Sequence, residues 1–164
     1  MYNINDCFLS YLKLDLASVC ADEENHNLML ATLDACWSCV VPCEAARALF
    51  LKSEGVYVLL DILEGSPDSL LNIVLGILTD LAEHPHVTKH MTHWSGRQHA
   101  SVVALLVALW EKECTRLGCP TRFSAVSDTQ PFPLQARLLR QSVRLADALA
   151  QEEQAFVQST SGYA

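Results

Sequence analysis

Ser66-Pro67-Asp68-Ser69-Leu70-Leu71-Asn72-Ile73-Val74-Leu75-Gly76-Ile77-Leu78-Thr79-Asp80-Leu81-Ala82-Glu83 is the stretch whose reading decides the fold. Ser66 followed by Pro67 reads as an N-cap with proline in the first turn, opening a helix over Asp68 to Glu83. Leu70, Leu71, Ile73, Val74, Leu75, Ile77, Leu78 and Leu81 leave only a narrow polar stripe of Asn72, Gly76, Thr79, Asp80 and Glu83. A helix apolar nearly all round has no stable place on a surface, so it lies inside a layered stack.

Upstream, Val56 to Leu63 is a brief apolar element closed by Gly65, and Glu44 to Lys52 is a short helix with Gly55 as its end signal. Before these, the apolar run Leu28 to Val41 follows the polar stretch Asp22 to Asn27 and stops at Pro42. Downstream, Pro85 opens a short His-rich helix to Trp94, and the break Ser95-Gly96 leads to an apolar helix from about Ala100 to Thr115. The pattern recurs: Leu33 and Leu75 lie 42 residues apart, Pro42 and Pro85 43, Gly55 and Gly96 41. That period belongs to armadillo and HEAT arrays, whose units bury their faces by stacking on neighbours. The expectation is an all-α, armadillo-like α-solenoid of about two three-helix repeats over residues 1–118. A loop follows over 119–133, where three prolines fall, then a C-terminal helix over 134–158 and a frayed tail over 159–164. Because such arrays usually hold three or more units, the chain is expected to be part of a longer protein or a short form. Otherwise it covers its open end with the 134–157 helix or a partner.

Hydrophobic residues make up 51% and charged residues 18%, a balance that favours a large core. The net charge of −8 offers no basic footprint for nucleic acid. Neither Leu70 to Leu78 nor Val102 to Trp110 approaches the ~20 apolar residues of a membrane span. Lys13 and Asp15 interrupt the apolar N-terminal stretch and no basic region precedes it, so no secretory signal is read. The chain is read as cytoplasmic, with its seven cysteines reduced.

The residues Gly55-Val56, Leu59-Leu60, Ile62-Leu63, Ser66-Pro67-Asp68, Leu75, Leu78 and Asp80-Leu81-Ala82 resemble the armadillo repeat consensus. In that family the position matched by Asp80 is often an asparagine lining the concave groove, and the preceding repeat offers Ser38 there. The resemblance therefore implies the fold without the asparagine ladder that grips an extended peptide. More narrowly, LFLKSEGVYVLLDILEGSPDSLLNIVLGILTDLAEHP, then HWSG and VVALLVALW, is similar to the armadillo region of cilia- and flagella-associated proteins over Glu24 to Gly118. This resemblance implies a structural component of the axoneme, needed for assembly or stability of motile cilia and sperm flagella, with ciliary proteins as partners.

Two clusters suggest other chemistry. Cys36, Cys39 and Cys43 include a C-x-x-C spacing, but they fall at the end of an apolar helix rather than after a strand, where cysteine serves as a small hydrophobe. His84, His86, His90 and His93 place nitrogens about one turn apart, yet the segment supplies neither a third ligand nor a general base. They define the alternative, a metal- or redox-responsive binding protein. No G-x-G-x-x-G, P-loop, H-E-x-x-H or G-x-S-x-G occurs, so no enzyme, cofactor or small-molecule substrate is expected. The expected partner-binding surface is the concave stripe of Asp34, Ser38, Asn72, Thr79, Asp80 and Glu83, whose acidity suits a basic protein surface.

Overall fold

A computed structural model describes residues 4–13, 23–116 and 144–151. They are all-α, with no strand among the described residues. In chain order the helices are α1 (Ile4–Leu12), α2 (Glu23–Val40), α3 (Glu44–Lys52), α4 (Gly55–Gly65), α5 (Asp68–Leu81), α6 (Pro85–Thr92) and α7 (Val102–Arg116). Residues 144–151 are helical as well. The expected 119–133 loop, the remainder of the 134–158 helix and the 159–164 tail lie outside the described residues.

α5 is the axis of the stack. Leu70, Leu71, Val74, Leu75, Gly76, Ile77, Leu78, Thr79 and Leu81 are all buried, as a helix with neighbours on several sides requires. α4 lies against it in sequence and α2 packs on it from the preceding unit, while α3 bridges α2 and α4 and α6 returns to α4. This is the armadillo arrangement, in which successive third helices stack: α2 stands to α5 as one repeat to the next. α1 closes the near end, resting on α2, α3 and α4 with Phe8, Leu9 and Leu12 buried. The sequence reading assigns no helix there.

Several local expectations are corrected. α2 begins at Glu23 rather than near Leu28, because Glu23 and Glu24 occupy its first turn, where the helix dipole favours negative charge. Ser66 does not cap α5. Its Oγ donates back to the Ile62 carbonyl and so finishes α4, while Pro67 stands at the N-cap of α5 and accepts the Leu70 amide at 3.0 Å. At the α3–α4 junction the left-handed residue is Glu54 (φ 62°), not Gly55. Gly55 is needed for a different reason: a Cβ there would come within 2.5 Å of the Phe50 ring.

The second unit also departs from the first. α4 starts directly after Glu54, whereas its counterpart α7 starts at Val102, and residues 93–101 form an irregular connection. Glu64 organises that connection. Its carboxylate accepts the backbone amides of Arg97, Gln98 and His99, each at 2.8 Å, and stands 3.1 Å from His99 Nδ1. Trp94 anchors the near side, its indole N–H donating to Asp61 Oδ1 at 2.9 Å. Burial opposes ionisation of Glu64, but the donors from Gln98, Arg97 and His99 outweigh it and hold the carboxyl below its ordinary range.

Candidate protein-interaction surface

The seam between α2 and α5 carries most of the expected stripe. Trp37 of α2 lies across Gly76 of α5 so closely that a Cβ on Gly76 would sit 2.5 Å from Cη2 of the indole. The indole N–H then reaches past the glycine and donates to Asp80 Oδ2 at 2.8 Å. Asp80 thus joins the two repeats, in the place where the family often carries an asparagine.

The other stripe residues divide into two groups. Asp34, Ser38 and Asn72 are exposed on α2 and α5. Thr79 is buried, with its Oγ1 donating to the Leu75 carbonyl at 2.6 Å, and Glu83 is exposed just beyond α5. Both of these face the C-terminal segment. Arg144 Nη2 lies 3.7 Å from Glu83 Oε1, and Leu145 and Leu149 are buried in the common core. A cleft of about 420 Å³ remains between them, lined by Thr79, Ala82, Glu83, Thr88, Arg144 and Ala148 among others. The stripe is therefore two connected patches: an open row along the α2–α5 seam, and an end already touched by the chain's own helix.

The two clusters of metal or redox type do not converge. Cys36 is buried while Cys39 and Cys43 are exposed. Burial, with a smaller contribution from Cys39, pushes the Cys36 thiol up to about 12, so it is neutral and a poor nucleophile or metal ligand near neutral pH. Among the histidines, His86, His90 and His93 are exposed. The His90 ring lies 6.2 Å from that of Tyr57, and His93 Nδ1 contacts the Lys89 carbonyl at 2.6 Å. No group of three or more His, Cys, Asp or Glu side chains among the described residues is placed to hold a metal ion. No helix among them is long and apolar enough to cross a membrane.

Two organising residues were missed in the sequence, Trp37 at this seam and Glu64 at the 93–101 connection. Trp37 had a signal: a glycine in a helix interior often marks a close approach, and an aromatic one repeat period before Asp80 is placed to make it. Glu64 had none, because its partners are backbone amides of an irregular segment.

Stacked third helices, short first helices and a polar row along the seam define an armadillo-type solenoid, a class that presents surfaces to other proteins. Comparison with known proteins gives the particular family. The chain belongs to the family described as "Cilia- and flagella-associated protein 69, ARM repeat", whose model matches residues 3–158. It is 31% identical to cilia- and flagella-associated protein 69 of Homo sapiens over 113 residues, 69% of this chain and 12% of that protein. Against the Mus musculus protein it is 32% identical over the same extent. The chain thus spans about an eighth of the length of the curated relatives it matches.

Proposed function

We infer that this protein is a non-catalytic interaction module of the axoneme, contributing to assembly or stability of motile cilia and flagella through contacts with other proteins. The α2–α5 seam is the observation that carries this reading. Trp37 bridges it, lying across Gly76 and donating to Asp80, and it leaves Asp34, Ser38 and Asn72 exposed beside Glu83. The acidity that Asp34, Asp80 and Glu83 give this row suits a basic protein surface, with binding weakened by salt. The relatives' names, cilia- and flagella-associated, supply the cellular setting. Fractionation of ciliated cells expressing the tagged chain tests the reading. The chain should remain with the axoneme after detergent removes membrane and soluble matrix; complete release into the detergent-soluble fraction would overturn it.

A further inference from the structure

Two seams follow one register in this solenoid, and a large side chain fills the first of them. Between α2 and α5 the Trp37 indole lies over Gly76 and donates its N–H to Asp80 Oδ2 at 2.8 Å. The 42-residue period that pairs Leu33 with Leu75 makes Thr79 the counterpart of Trp37 and Ala82 the counterpart of Val40. At the second seam, between α5 and residues 144–151, both positions are therefore smaller: threonine stands for tryptophan and alanine for valine. An open cleft of about 420 Å³ lies there, with Thr79 and Ala82 on one wall and Ala148 on the other. That is room for a large aromatic side chain.

The cleft repeats the two features that hold Trp37, a small residue for a ring to lie against and a carboxylate within reach. Ala148 is half-buried and presents a methyl group where the first seam has Gly76. Glu83 lines the rim and is 67% exposed. Its Oε1 stands 3.7 Å from Arg144, beyond hydrogen-bond length, so it can accept an N–H from a ring entering the cleft.

We propose that this cleft receives a tryptophan side chain of a partner protein, its ring between Thr79, Ala82 and Ala148 and its N–H donating to Glu83. The partner's tryptophan does at the second seam what Trp37 does at the first. The inference rests on the interaction-module reading and names one anchor of the partner, of the aromatic kind that dominates many protein interfaces.

NMR of the full chain, titrated with N-acetyl-tryptophanamide, tests it. Amide shifts at Thr79, Ala82, Glu83 and Ala148 should saturate with a Kd on the order of 1 mM, as suits a ligand of this size. N-acetyl-leucinamide and N-acetyl-argininamide should bind at least ~10-fold more weakly. Equal binding of the three probes, or no saturation up to about 10 mM of the first, would overturn the proposal. Ala148→Phe, which fills the cleft from its far wall, should weaken binding at least ~10-fold, while Asp34→Asn, outside the cleft, should leave it unchanged. Unchanged affinity in a folded Ala148→Phe chain would overturn the assignment. If that variant does not fold, Glu83→Leu on the exposed rim decides instead: about 5-fold weaker binding supports the N–H contact, and unchanged binding defeats it. A chain retained in the axoneme whose cleft takes no indole defeats this inference alone. A chain that takes the probe but washes out of the axoneme defeats only the functional reading above.

Discussion

α5 and α7 are both helices of mostly apolar sequence, yet they end in different surroundings. α5 has α4, α2 and the C-terminal segment around it, and every leucine it carries is buried. α7 buries Val102, Leu105 and Leu106, but Val103 and Val107 remain 54% and 50% exposed. Apolar content determines that a helix gains from burial, while the neighbours available determine which faces achieve it. In a solenoid this difference marks position: α5 lies in the interior of the stack and α7 at the edge of the described residues.

Substitutions along the two helices should reproduce the contrast. The largest effect is expected for Leu78→Asp, which puts a charge at a fully buried site and should cost about 3 kcal/mol or more in denaturant unfolding. Asn72→Asp, on the exposed side of the same helix, should stay within about 0.5 kcal/mol. Equal losses for the two would remove the assigned orientation of α5.

Next comes the seam. Gly76→Ala should destabilise by about 1–3 kcal/mol, because the new Cβ would meet the Trp37 indole at 2.5 Å. With Trp37 first replaced by Ala, the same change should turn neutral or stabilise by up to about 1 kcal/mol, since alanine is the better helix former. A double-mutant cycle reads the reversal directly, and its absence would mean that the contact does not limit the site.

A smaller effect, visible through pH, is expected at Glu64. Its pKa is lowered in the folded chain, so its stabilising contribution is present above the ordinary carboxylate range and lost as pH falls through the depressed value. The gap in melting temperature between wild type and Glu64→Gln should be steady from about pH 7 to 5 and shrink below about pH 4. A gap that widens on acidification would contradict the sign. Smallest of all, Val107→Ser on α7 should change stability by no more than about 0.5 kcal/mol, against a clear loss for Leu105→Ser one half-turn away.

The legibility of the sequence follows the same contrast. α5 was readable from its apolar residues and its polar stripe, and the 42-residue register that pairs Leu33 with Leu75 places α2 and α5 side by side as observed. The register gave less at Gly55 and Gly96, because equal spacing there conceals different structure: a helix begins at Gly55, whereas Gly96 lies in the irregular segment held by Glu64. Of the candidate surface, Asp34, Ser38, Asn72 and Glu83 are exposed, as a polar stripe requires. Thr79 was not distinguishable from them by polarity, since a threonine satisfied by its own helix backbone can be buried at little cost. The contact of Arg144 with Glu83 spans 61 residues, and no local pattern announces it.

The most direct test of an acidic seam as a docking surface is salt extraction of isolated axonemes carrying either the wild-type chain or an Asp34→Asn/Asp80→Asn/Glu83→Gln chain. Asparagine at position 80 still offers an oxygen to the Trp37 indole, so the seam stays closed while the charge is removed. Wild type should remain bound at low ionic strength and be released progressively as salt screens the contact, and the folded variant should already be released at the lowest salt. Identical release curves for the two chains would contradict the account.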